Sequence, residues 1–171
     1  ARLAPAETGA AHIALAESYK RHFQRARAEG RVEEPLFPGI PELLDVLEAD
    51  GWLLAVATGK SDRGLALCLD CHGYSERFMS LQTADRHPSK PHPSMVRQAM
   101  ADAGAAPETT IVIGDTAFDM GMAVAAGATE IGAAWGYHEA EEMLEAGAAA
   151  VAEMPLDVLS LLPEKMERRY G

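Results

Sequence analysis

Basic residues are what this 171-residue chain is short of. Its 15 lysines and arginines stand against 26 aspartates and glutamates, leaving a net charge of -11. Such a chain should be soluble and should repel nucleic acid and anionic lipid, so neither is an expected partner. Long apolar runs are lacking too, and no segment approaches a membrane span. Cysteine is scarce: only Cys68 and Cys71 occur. A C-x-x-C pair can mark zinc or redox work, but no second ligand pair accompanies it and the segment reads as a helix. Two ordinary thiols in a reducing, cytoplasmic setting are the expectation. There is no visible signal peptide, and the chain opens on Ala1. Either an initiator methionine was removed or the natural N-terminus lies further upstream.

What is present is mostly apolar, 48% of all residues. At this length that makes one domain with a proper core and at most a small appendage. The pattern predicts a helix over Ala10 to Glu29, stopped by Gly30. Glu33 to Gly39 reads as a linker, rigid at its prolines and turned at Pro38-Gly39. Pro41 suits the start of a helix running to about Asp50-Gly51. Trp52 to Thr58 is a continuous apolar run too short for a typical helix, hence a strand buried on both faces. Ser61 can cap the helix after it.

From there the chain alternates. A weaker strand is expected at Phe78 to Gln82, a helix at Ser94 to Ala103 stopped by Gly104, and a strand at Thr110 to Ile113. A helix over Phe118 to Ala126 ends at Gly127, followed by a strand at Thr129 to Trp135 and an acidic helix near Glu139 to Glu145. A short strand at Ala149 to Val151 and a last helix around Leu156 to Leu162 close the pattern. Parallel strands need crossover helices, so this order implies an α/β fold with a doubly wound, mostly parallel, Rossmann-like sheet. Ligands in such sheets sit at the carboxyl ends of strands. Thr58 and Asp115 both stand there.

Three motifs carry chemistry. In Thr109 to Asp119 the buried run Ile111-Val112-Ile113 ends at Gly114, so Asp115 sits at a strand tip and Asp119 one helical turn later. Two carboxylates on so rigid a support suit Mg²⁺ beside a phosphate. The alternative is that Asp115 is a helix N-cap and Asp119 a first-turn acid favoured by the helix dipole. In Thr58-Gly59-Lys60-Ser61, a hydroxyl, a glycine and a helix N-terminus make an anion cradle. Gly-Lys-Ser also ends a nucleotide P-loop, but that pattern needs glycine at position 54, where Leu54 stands. Lys90 lies in Arg86-His87-Pro88-Ser89-Lys90-Pro91-His92-Pro93. Its prolines fix the backbone around one ammonium that could neutralise a phosphate, the alternative being a solvated loop lysine. His87 and His92 are expected to be exposed, without a role.

Hydroxyl-glycine, loop lysine and G-D-T-x-x-D, in this order at successive strand ends, resemble the haloacid dehalogenase superfamily, as the second, third and fourth of its four motifs. Leu36 to Leu44 looks like that family's return from its cap domain. Ala134-Trp135-Gly136-Tyr137-His138 is similar to phosphoglycolate-phosphatase-like members. The resemblance spans about residues 30 to 165. It implies residues 1–35 as the remnant of a helical cap with its linker, and residues 36–171 as the core. It implies that Thr58, Gly59 and Lys90 bind phosphate, with Lys90 and Asp115 serving catalysis. Asp115 would ligate Mg²⁺ and Asp119 would support the metal or its waters. The implied reaction is hydrolysis of a small phosphorylated metabolite through an aspartyl-phosphate, a covalent route that an intrinsically slow reaction needs.

One motif is absent. The family's first strand carries D-x-D, yet the aspartates here stand at 45, 50, 62, 70, 85, 102, 115, 119 and 157, no two of them two positions apart. The nucleophile is missing, and so is the mid-sheet strand that bears it, between those ending at Thr58 and Asp115. Unpaired buried backbone groups would cost about 1–3 kcal/mol each. Three states are open: an N-terminal segment lost from this sequence, a strand supplied by another chain or by pairing of copies across open edges, or a pseudoenzyme that binds phosphate and metal without turnover.

Overall fold

The computed structural model describes residues 34–163. The helix expected over Ala10 to Glu29 lies outside them. Contacts divide the chain between Pro35 and Leu36, and the elements below belong to the unit that begins at Leu36.

Gly39, at φ 91°, turns the chain into α1 (Ile40–Ala49), where Pro41 occupies the first turn and Leu43 and Leu47 are buried. Strand β1 (Ala55–Thr58) follows. Next comes α2 (Asp62–Cys71), capped by the Ser61 hydroxyl, which accepts the Gly64 N–H at 3.1 Å. Strand β2 (Ser80–Thr83) leads through the Lys90 loop, whose Lys90–Pro91 peptide is cis, to α3 (Ser94–Ala103). That helix stops at Gly104, whose φ of 61° is accessible to glycine at no steric cost. A 3₁₀ turn (Pro107–Thr109) precedes β3 (Ile111–Gly114), then α4 (Ala117–Ala126), β4 (Thr129–Ala133), α5 (Ala140–Glu145) and β5 (Ala150–Ala152).

The strands pair in two separate parallel ladders. β1 pairs with β2, Thr58 opposite Thr83. β4 lies between β3 and β5, with Gly114 opposite Gly132. Common helical layers nevertheless hold β1 and β3 side by side. On one face Met95 and Met100 of α3 and Met122 of α4 enclose both Ala57 and Val112. On the other, Leu43 and Leu47 of α1, with Ile131, enclose both Leu54 and Ile111. Among the described residues no strand pairs with the other side of β1 or of β3. The most apolar strands are consequently the less covered ones: Ile113 is 38% exposed, whereas Ile131 of β4 is 1% exposed. The open interval lies where the absent motif's strand was expected. Among the described residues no helix is long and apolar enough to cross a membrane.

Several element boundaries differ from the sequence expectation. Trp52 to Leu54 stay outside β1, and Leu53 is 65% exposed, because a strand with one partner pairs only where that partner does. β2 begins at Ser80 rather than Phe78. β3 begins at Ile111, since the Thr110 hydroxyl donates to the Ala106 carbonyl at 2.8 Å and belongs to the preceding turn. β4 ends at Ala133, where Gly136 N–H closes a turn back on the Ala133 carbonyl. The last helix is a 3₁₀ turn (Pro155–Asp157) followed by the single turn α6 (Val158–Leu161).

Candidate active site

The junction between β3 and α4 is built by Thr116. Its hydroxyl accepts the Asp119 N–H at 3.3 Å, and Asp119 Oδ2 accepts the Thr116 N–H at 3.1 Å and the Thr116 hydroxyl at 2.6 Å. This reciprocal cap satisfies donors that every helix start leaves open. It makes Thr116, not Asp115, the cap, so the alternative of Asp115 as a plain N-cap is overturned. Asp119 is indeed a first-turn acid, but its other oxygen is claimed from far away. Lys90 Nζ donates to Asp119 Oδ1 at 2.5 Å.

That ion pair also overturns the solvated-lysine alternative, because the Lys90 side chain is 21% exposed and that of Asp119 8%. A carboxylate so covered is tolerable only when paired and hydrogen-bonded, and Asp119 is both. The pair spans the open interval. It ties the loop after β2 to the first turn after β3, so the carboxyl ends of both ladders meet on one edge.

Asp115 is half-buried at that edge. Its Oδ2 accepts the Tyr137 N–H at 3.2 Å, and its carbonyl accepts the His138 N–H at 3.1 Å. His138 Nδ1 lies 3.3 Å from the Ala117 N–H and 2.9 Å from Glu142 Oε2, binding the loop after β4 to the start of α4. Two glycines make room for the carboxylates. A Cβ at Gly114 would come 2.3 Å from Asp119 Cβ, and one at Gly136 would come 2.1 Å from Asp115 Cβ. Both are impossible separations. Gly136 carries no role in the sequence-based site, although a glycine just after a strand end was the available signal.

At the end of β1 the Thr58 hydroxyl accepts the Lys60 N–H at 3.2 Å. A Cβ on Gly59 would meet nothing within 4 Å among the described residues, whose packing does not demand a glycine there. Beneath this turn Asp62 Oδ1 accepts the Thr83 hydroxyl at 2.7 Å and Arg86 Nη2 at 2.9 Å. The Thr83 hydrogen bond foremost, with Arg86 and against the opposing pull of desolvation, holds the Asp62 carboxyl below its ordinary range. Asp62, Thr83 and Arg86 thus brace the end of β2 against the start of α2. Sequence reasoning had passed over all three.

Lys90, Asp115 and Asp119 are therefore brought together through one loop junction. Thr58 and Gly59 stand on the other side of the interval. Among the described residues no hydrogen bond or ion pair joins them to the other three. Nor, among the described residues, do three histidine, cysteine or acidic side chains converge to hold a metal. The donors fit Mg²⁺ only in part. Asp115 offers a hard carboxylate, whereas both Asp119 oxygens are occupied by Thr116 and Lys90, which suits support from outside the metal's own shell. A surface depression lies elsewhere, lined by Asp45, Glu48, Asp70, Tyr74 and Arg77. Arg77 there is bound to Asp45 and Glu48 and stacked on Tyr74, a structural cluster away from the strand ends.

The match to known proteins is extensive. The family model described as haloacid dehalogenase-like hydrolase matches residues 6–133. A probable phosphatase of Dickeya dadantii, IndB, is 40% identical over 110 residues, covering 63% of this chain and 47% of that protein. A phosphoglycolate phosphatase of Pseudomonas syringae is 30% identical over 151 residues, covering 88% and 54% respectively. Among solved structures, a haloacid dehalogenase-like hydrolase from Streptococcus pneumoniae superposes with a TM-score of 0.77 at 27% identity, covering 93% of this chain and 73% of that one. A predicted phosphoglycolate phosphatase from Haemophilus somnus gives 0.76 at 25%, covering 85% and 65%. The chain spans about half the length of these curated relatives.

Proposed function

Because the chain belongs to the haloacid dehalogenase-like hydrolase family, we propose that it is the core of a phosphatase cleaving a small phosphorylated metabolite of the phosphoglycolate type. The observation that carries this is the Lys90–Asp119 ion pair, which draws the lysine loop onto the Asp115 strand end across the open interval. A phosphate held at that edge would meet the Thr58 hydroxyl and Gly59 N–H on one side and the Lys90 ammonium on the other. Lys90 offsets charge, the helix starts add donors, and Asp119 holds Lys90 in place. Asp115 would hold Mg²⁺, which as a Lewis acid supplies further charge neutralisation when bound.

The nucleophile is not among these residues. The family's aspartate pair belongs on a strand that fits the interval between β1 and β3, and the exposure of Ile113 on one rim supports a covering segment there. On this reading the chain alone turns over little or no substrate, and a longer natural product is active. Pairing of copies through the open edges of β1 and β3 is the oligomeric route the fold would allow. Two free cysteines, Cys68 and Cys71, support a reducing, cytoplasmic location. Residues 1–35 are assigned to the cap and its linker.

Hydrolysis of p-nitrophenyl phosphate tests the proposal on the full-length product, with Mg²⁺ and then with EDTA. Chelator-sensitive turnover that Asp115→Asn abolishes is expected, with none from residues 1–171 alone. Absence of turnover in the full-length product, with Mg²⁺ binding intact, would make it a binding module instead.

A further inference from the structure

His87 stands three residues before Lys90, in a loop where a histidine is ordinarily solvated. Here it is half-buried and both ring nitrogens are engaged. Nε2 lies 2.8 Å from Gln82 Oε1, and Nδ1 lies 2.8 Å from Ser94 Oγ. The protons in this seam can be assigned from its far end. Asp102 Oδ2 accepts the Ser80 hydroxyl at 2.6 Å and Gln82 Nε2 at 2.8 Å, while Gln98 Nε2 reaches Asp102 Oδ1 at 2.8 Å. An ionised carboxylate only accepts. The Gln82 amide nitrogen therefore points at Asp102, with Ser80 Oγ also 2.8 Å from it, and the Gln82 oxygen is turned towards His87. His87 must then carry a proton on Nε2, with Nδ1 paired to the Ser94 hydroxyl.

This polar seam runs where an edge strand and its covering helix would otherwise meet on apolar side chains. Ser80, at 4% exposure, and Gln82, at 3%, are buried within it, and such groups are kept only when fully satisfied. One imidazole thus joins the third residue of β2 to the first residue of α3, across the base of the loop that carries Lys90. Further along that loop, Lys90 crosses to Asp119 in the first turn of α4, and Pro91 packs against the Gly121 position, where an added Cβ would lie 3.1 Å away.

We propose that His87 is a positioning residue for Lys90: by clamping Gln82 to Ser94 it fixes the base of the loop, so that the ammonium is held on Asp119 beside Asp115. The proposal rests on Lys90 having the phosphate-neutralising role given above. It adds that an oriented imidazole sets where that charge stands.

Residue-resolved acylation of the chain by acetic anhydride, followed by mass spectrometry, tests it without any need for turnover. In the parent protein Lys90 is expected to be protected. His87→Ala should raise its acylation rate about tenfold relative to the other lysines, the scale of one lost net hydrogen bond. His87→Gln, which keeps a donor towards Gln82, should restore part of the protection. Gln98→Ala, at the opposite end of the seam, should leave Lys90 protected. Unchanged protection of Lys90 in His87→Ala would overturn the proposal. Should that variant fail to fold, imidazole ¹⁵N shifts of the parent protein decide. A proton on Nε2 supports the clamp, and an unprotonated Nε2 overturns it. If Lys90 is freed in His87→Ala, yet Lys90→Met leaves turnover of the full-length phosphatase intact, the clamp stands and the assigned role of Lys90 falls.

Discussion

Gly136 lies against Asp115 so closely that a Cβ on the glycine would be 2.1 Å from Asp115 Cβ and 2.5 Å from its Oδ2. The two residues come from the ends of different strands, β4 and β3. Their approach lets Asp115 take the Tyr137 N–H from the same loop. The position of this carboxylate is therefore set as much by the loop after β4 as by its own strand.

Gly136→Ala should push Asp115 aside rather than merely crowd a pocket. We expect a stability loss of about 1–3 kcal/mol, the usual cost of overpacking. If Asp115 holds Mg²⁺ as proposed, a larger fall in metal affinity should accompany it in the full-length protein. Urea denaturation and metal titration on one variant check both.

Lys90→Met removes the only cation that, among the described residues, pairs with a nearly covered carboxylate. Asp119 keeps its Thr116 hydrogen bonds, and Lys90 retains some solvent contact, so the expected cost is about 1–3 kcal/mol rather than the larger loss typical of fully buried pairs. Adding Asp119→Asn should cost less than the two single changes summed. A double-mutant cycle in urea measures that coupling, and strict additivity would count against the ion pair as drawn.

Asp102 gives the fold an acid-sensitive element. Hydrogen bonds, foremost from the Ser80 hydroxyl and then from Gln98, hold its carboxyl below the ordinary 3.8. A depressed carboxylate binds fewer protons folded than unfolded. Its stabilisation is therefore complete above the unfolded value and is lost as pH falls through the folded one. Urea midpoints should decline below about pH 4, and Asp102→Asn should flatten that decline while lowering stability at pH 7.

Ile113→Ala probes the open interval. A fully enclosed isoleucine loses about 2–5 kcal/mol on truncation. At 38% exposure this one should lose much less in residues 1–171. If a strand covers the interval in the longer product, the same change there should cost the full amount. Equal small losses in both proteins would argue that nothing fills it.

Local order was largely legible without the fold. Helix α3 runs over the residues that periodicity marked out, Ser94 to Ala103. Ser61 caps, and Gly104 and Gly127 terminate, because these roles depend on near neighbours in the chain. Strand ends were less legible. Trp52 to Leu54 are apolar enough to extend β1, but a strand's length is decided by its partners, and among the described residues β1 has a partner on one side alone.

The amino-acid sequence alone determined the alternation of strand and helix, the order of the hydroxyl-glycine, loop-lysine and G-D-T-x-x-D motifs, and the want of an aspartate pair. Each is a matter of spacing along the chain. Tertiary structure decided the rest. Thr116, not Asp115, took the helix cap, and Lys90 found Asp119 across 29 positions. His87 turned inward between Gln82 and Ser94, and Gly136 made way for Asp115. These pairings bring together side chains from distant elements, and no periodicity within an element records which residue another element will set against it.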